Sequence, residues 1–140
     1  MKMLKENLVL YAWIVAIAAM AGSLYFSEVL NFAPCVLCWY QRICMYSLVA
    51  VLSVGIAVKD RFVWRYGLPL SIIGLAIAIY QNLLYYGVIS ESVAPCRFGV
   101  SCTTQYINWL GFIGIPFLSM LAFIVITALL WGYRNINKNV

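Results

Sequence analysis

The feature that most limits what this chain can fold into is a series of four long apolar runs, at about residues 8–26, 38 or 39–58, 68–86 and 115–131. Each approaches the roughly 20 residues that a helix needs to cross the hydrocarbon core of a bilayer. Four crossings use roughly 80 residues and leave only short loops in a chain of 140. The expected fold is therefore an all-α membrane protein, a four-transmembrane-helix bundle forming a single integral membrane domain, 1–140, with approximate spans 8–26, 39–58, 68–86 and 115–131. A composition of 66% hydrophobic and 9% charged residues lies far from that of a soluble domain and agrees. A cleavable signal peptide competes for the first run, because Ala19-Met20-Ala21 after a basic start mimics a small-residue cleavage site. The run continues through Leu24-Tyr25-Phe26, which favours a span.

A net charge of +5 could suggest nucleic acid, but the basic residues form no stripe and no nucleic-acid motif. They read better as topology signals. Lys2, Lys5, Lys59, Arg61, Arg65, Arg134 and Lys138 fall at the two termini and in the turn between the second and third runs, all on one side of a four-span arrangement. Cytoplasmic loops carry an excess of Lys and Arg, so both termini are expected in the cytoplasm. The loops at 27–37, with Glu28, and 87–108, with Glu91 and Arg97, then face outward. Aromatic residues cluster at both surfaces, Trp13, Trp64 and Trp131 on one and Tyr25, Trp39 and Trp109 on the other, as an interfacial belt requires.

The chain has five Cys and no His, which removes the commonest general base and metal ligand and leaves thiols to carry any chemistry. Cys35 and Cys38 fall in the first outward loop and Cys96 and Cys102 in the third, while Cys44 lies within a span. Disulfides persist outside the cytoplasm, so two structural staples are one reading. The spacing Cys35-Val36-Leu37-Cys38 argues for a reversible redox pair instead, since so short a loop gains little from a crosslink. Cys38 is expected at the outer N-terminus of the second helix, where free N–H groups and the helix dipole favour a thiolate.

Arg42 follows four residues later, on the same face and about one turn deeper, where an unpaired charge is costly. It either snorkels to the interface or has a task there: stabilising a Cys38 thiolate and binding the oxygen of a membrane-dissolved electron acceptor. Cys44 lies about 240° around an ideal helix from Cys38 and is read as a small buried hydrophobe. Tyr80, Gln81 and Asn82 bond to neighbouring helices or touch a cofactor, with helix bonding the preferred reading. Ile115-Pro116 marks the start of the fourth helix, because proline suits a first helical turn.

The run Pro34-Cys35-Val36-Leu37-Cys38-Trp39-Tyr40-Gln41-Arg42, with a second cysteine pair between the third and fourth spans and Leu110-Gly111 leading to Ile115-Pro116, resembles the DsbB family of thiol:quinone oxidoreductases. The short Gram-positive BdbC type is the most similar. The resemblance implies a bacterial plasma-membrane enzyme that reoxidises an extracytoplasmic thioredoxin-like thiol oxidase of the DsbA or BdbD kind and passes the electrons to a quinone, menaquinone or ubiquinone. It further implies that the partner attacks a Cys96–Cys102 disulfide, at Cys96 by order in the chain, and that Cys35 and Cys38 regenerate it. Cys38 would hand two electrons to the quinone, and Arg42 would support that acceptor. Gln41 stands where some family members carry an acid, and only five residues separate Cys96 from Cys102, fewer than in the long-loop members. Rival readings are a non-catalytic, disulfide-stapled membrane assembly protein, a zinc site of four thiolates, and a vitamin K epoxide reductase-like quinone reductase.

Overall fold

The computed structural model describes residues 2–90, 92, 101 and 114–139. Four helices account for most of them: α1 (Lys2–Leu24), prolonged by a π-helical turn at Tyr25–Val29, α2 (Val36–Ala57), α3 (Trp64–Tyr85) and α4 (Ile115–Lys138). The described residues contain no strand. All four helices are long and apolar enough to cross a membrane. Such segments are helical because a peptide group in hydrocarbon can be satisfied only within its own helix or in a closed barrel.

Each helix packs on its neighbours in a ring, α1 on α2, α2 on α3, α3 on α4 and α4 back on α1. The direction alternates, so the starts of α2 and α4 lie at the same end of the bundle as the ends of α1 and α3. Apolar character does not separate inside from outside here, since Ile43, Val54, Ile73 and Ile124 are all exposed. Small residues mark part of the inside: the inward face of α1 includes Ala12 and Ala16, and that of α3 includes Ser71, Gly74 and Ala78. These small residues let the larger buried side chains Leu48, Leu52, Phe123, Ile126 and Leu130 of α2 and α4 fill the centre. Gly74 lies directly against the Phe123 ring, so closely that a β-carbon there would overlap it.

Polar side chains tie the ring together. Trp13 Nε1 donates to Ser53 Oγ at 2.7 Å, joining α1 to α2. Asn82 Nδ2 donates to the carbonyl of Pro116 at 2.9 Å, joining the end of α3 to the first turn of α4. Asn82 thus has the helix-bonding role expected of it.

The helix ends differ from the apolar runs in an informative way. α1 begins at Lys2 and α4 continues to Lys138, because helices extend past the hydrocarbon-like stretch into polar surroundings. α2 begins at Val36 rather than at Cys38 or Trp39, so the cysteine at its N-cap is Cys35 and Cys38 lies inside the first turn.

Candidate functional site

The site grows out of that N-terminus. Cys35 holds the extended backbone typical of an N-cap, φ −77° and ψ 174°, and its sulfur accepts the Cys38 N–H at 3.4 Å. An N-cap side chain accepts from the second or third N–H of the helix, the geometry that Ser, Thr, Asp or Asn ordinarily supplies. Here a thiol supplies it, which folds the Cys35 side chain back over the first turn. The two Sγ atoms consequently lie 3.0 Å apart, with the Cys35 S–H donating to Cys38. Cys35 is only 4% exposed, while Cys38 is half-buried. The hydrogen bond to Cys38, followed by burial, holds the Cys35 thiol far above the usual thiol range.

Gln81 reaches the pair from α3. Its amide Nε2 lies 3.2 Å from Cys38 Sγ and 3.5 Å from Cys35 Sγ. Its Oε1 in turn accepts from Nε2 of Gln41, three residues after Cys38 on α2. Both glutamines are buried, at 3% and 6% exposure. Tyr80, on the same turn of α3, packs beside Cys35, Leu37 and Leu84 without a polar contact to the sulfurs.

Arg42 is half-buried and directed toward α1. Its Nε donates to Ser23 Oγ at 2.8 Å and an Nη to the Ser23 carbonyl at 2.9 Å, and the guanidinium lies 5.4 Å from the centre of the Trp39 ring. Among the described residues the charge at this depth is therefore held by oxygen acceptors and an aromatic face rather than by a carboxylate.

Two adjoining cavities meet at these residues. The smaller, about 80 Å³, is lined by Cys35, Cys38, Arg42, Gln81, Tyr85 and Ser101 among others. The larger, about 340 Å³ and mostly apolar, draws its wall from all four helices and includes Cys38, Gln41, Arg42 and Gln81, but not Cys35. Ser101, the residue before Cys102 in the sequence, lines the smaller cavity together with Cys35 and Cys38. Cys96 and Cys102 themselves lie outside the described residues. Cys44 is buried in the main core with Met45 and Leu48, apart from the site.

Ser23, which the sequence does not single out, is the single serine in the first apolar run, where the other hydroxyls belong to Tyr11 and Tyr25. Gln81 bonds to the neighbouring helix as expected, through Gln41, and its amide also touches both sulfurs, which the sequence does not disclose. The hydroxyl of Tyr85, buried against the smaller cavity, has no hydrogen-bond partner among the described residues. Together with the N–H groups that Arg42 does not commit to Ser23, it gives the cavities polar donors in an apolar wall. A flat carbonyl-bearing ring fits that donor set.

Residues 5–132 match the family model described as "Disulfide bond formation protein DsbB". The chain is 52% identical over 118 residues to "Disulfide bond formation protein C" of Bacillus subtilis, a match covering 84% of this chain and 86% of that protein. It is 47% identical over 121 residues to "Probable disulfide formation protein C" of Halalkalibacterium halodurans, covering 86% and 88% of the two chains. No solved structure matches it.

Proposed function

The chain belongs to the DsbB family and is a disulfide-generating membrane oxidoreductase, and from that premise we propose that it reoxidises an extracytoplasmic thioredoxin-like dithiol protein and delivers the electrons to a membrane quinone. The reading rests on one observation: Cys38 and Arg42 both line an apolar cavity bounded by all four helices, while the Cys35 sulfur touches Cys38 and lines a smaller cavity that Ser101 also lines.

In this reading a thiolate of the reduced partner attacks the Cys96–Cys102 disulfide at Cys96 and releases Cys102 as a thiolate. Cys102 follows Ser101, which lines the smaller cavity with Cys35, and in this reading it attacks Cys35 in an oxidised Cys35–Cys38 pair. The Cys35–Cys38 bond breaks and its electron pair stays on Cys38. The partner's disulfide closes as Cys96 leaves, and the Cys96–Cys102 bond re-forms as Cys35 leaves. Cys35 and Cys38 are then both reduced. Arg42, fixed by Ser23, holds positive charge beside Cys38 and offers its remaining N–H groups to an acceptor oxygen. A bound quinone supplies the acceptance of two electrons and two protons. The Cys35–Cys38 disulfide re-forms, and the net change is one partner dithiol oxidised per quinone reduced.

Purified protein mixed with a reduced thioredoxin-like partner and a short-chain quinone should bleach the quinone absorbance in step with partner disulfide formation. Partner oxidation that proceeds equally well without quinone would overturn the assignment. The same reading places the loops at 27–37 and 87–108 outside the cell. A membrane-impermeant thiol reagent should then label these cysteines in intact reduced cells, and labelling only after lysis would reverse the orientation.

A further inference from the structure

We propose that Gln81 is a further catalytic residue, whose amide N–H stabilises the Cys38 sulfur as the leaving and donating thiolate, and that Gln41 is a positioning residue that fixes which end of this amide faces the sulfurs. The proposal rests on the reading that Cys35 and Cys38 are a cycling redox pair.

A thiolate only accepts hydrogen bonds, so an amide beside it stabilises it through NH₂ and opposes it through the carbonyl oxygen. A glutamine side chain can present either end. At 3% exposure the end turned away from the sulfurs has no water to satisfy it, and an unpaired buried polar group is costly. In the structure Gln41 Nε2 donates to Gln81 Oε1, and with that pairing Gln81 Nε2 faces Cys38 at 3.2 Å and Cys35 at 3.5 Å. The donor therefore sits where charge appears when the disulfide opens. An incoming thiolate forms a bond to Cys35 Sγ, the Cys35–Cys38 bond breaks, and the electron pair resides on Cys38 Sγ, which gains the Gln81 N–H and, once Cys35 is a free thiol, its S–H. A neutral Gln at position 41 keeps this orientation independent of pH. A carboxylate there would have no proton to give Gln81 Oε1 unless it were itself protonated.

This arrangement differs from helix–helix glue in what it does to equilibria. A bond that only joins α2 to α3 stabilises the oxidised and reduced protein alike. A donor aimed at the thiolate stabilises the reduced pair selectively and so makes the Cys35–Cys38 disulfide a better oxidant.

The test uses the full chain in detergent, equilibrated in glutathione redox buffers without quinone, with the Cys35–Cys38 state read by peptide-resolved alkylation. The wild-type pair should pass from reduced to oxidised across the buffers. Gln81→Leu should shift the equilibrium constant about tenfold toward the disulfide, roughly 30 mV more reducing, and slow Cys38 alkylation at pH 7 by about the same factor. Gln81→Asn keeps a polar group but is one methylene too short to reach the sulfurs, so it should show the same loss if Gln81→Leu does not fold. Gln41→Leu should give a smaller shift in the same direction and add nothing in combination with Gln81→Leu, because it acts through Gln81. Equilibrium and alkylation rates unchanged in folded Gln81 variants would overturn the inference and leave the redox reading intact. A wild-type pair that does not exchange with glutathione at all would instead remove the reading on which it stands.

Discussion

Replacing Arg42 with Lys preserves the charge and destroys the geometry, which makes it the most discriminating single change at the proposed quinone site. The guanidinium commits Nε to Ser23 Oγ at 2.8 Å and an Nη to the Ser23 carbonyl at 2.9 Å, and it still carries further N–H groups beside the larger cavity. A lysine ammonium is a point charge on a flexible stem. It can follow Ser23 or the cavity but cannot hold both in one plane. The loss is thus one hydrogen bond to a charged group, worth roughly 1.5–3 kcal/mol when buried. Arg42 is only half-buried, and solvent screening reduces this to about 1–2 kcal/mol. Since 1.4 kcal/mol is a factor of about ten, the apparent KM for quinone should rise about 5- to 30-fold.

Arg42→Ala removes the donor set and the charge together, and the expected rise is roughly 10- to 150-fold, from about 1.5–3 kcal/mol. Steady-state quinone reduction at saturating reduced partner measures both. The exchange between the partner and Cys96–Cys102, followed as mixed disulfide on non-reducing gels, should be spared because it takes place in the other loop. An unchanged KM in a folded Arg42→Ala protein would refute the reasoning and return Arg42 to anchoring α2 against α1. Equal KM values for Lys and Arg would show that the charge alone matters and that Ser23 plays no part in aiming it.

Three further outcomes are expected. Gly74→Ala places a methyl group against the Phe123 ring, and overpacking of this kind costs roughly 1–3 kcal/mol; thermal unfolding in detergent should show the loss, and an unchanged midpoint would mean that α3 and α4 can move apart freely. Cys102→Ser should trap the partner on Cys96 as a stable mixed disulfide, whereas a complex formed only through Cys102 in Cys96→Ser would reverse the order of the relay. The Cys35 thiol is held up by its bond to Cys38 and by burial, so it stays protonated through neutral pH and gains reactivity only as pH rises well above the usual thiol range. In the reduced protein, alkylation at pH 7 should therefore modify Cys38 before Cys35, and mass spectrometry of the modified peptides checks the order.

The sequence made the helices legible because four spans of hydrocarbon length leave few alternatives, and it made the redox pair legible because Cys35 and Cys38 are close along the chain. Arg42 was readable for the same reason, lying one turn beyond Cys38 on the same helix. What it hid were the relations between helices. Nearly every face of α3 is apolar, so periodicity does not say which face turns inward, and the structure alone turns Gln81 to the sulfurs and Gly74 to the Phe123 ring. Ser23 meets Arg42 across the α1–α2 contact, which no local pattern encodes. Hydropathy puts the start of α2 two or three residues late because it marks where a chain becomes apolar, while a helix begins where its first N–H groups find a cap. Cysteine is not among the residues ordinarily favoured as caps.

The cap has a consequence for how electrons could leave an aqueous loop for the bilayer. Cys35 lines only the smaller cavity, together with Ser101, whereas Cys38 lines both and is the one sulfur of the pair that meets the four-helix apolar wall. Because Cys35 is the N-cap and Cys38 the third helical residue, the two sulfurs are held in contact while opening onto different sides of the same helix end. Had α2 begun at Cys38, Cys35 would lie in irregular chain and the contact would depend on the loop. With the cap as observed, the backbone of the first turn holds the sulfurs together. In the proposed relay the step in which Cys35 is attacked and Cys38 departs with the electron pair then takes place between two sulfurs that the first turn of α2 itself holds in contact.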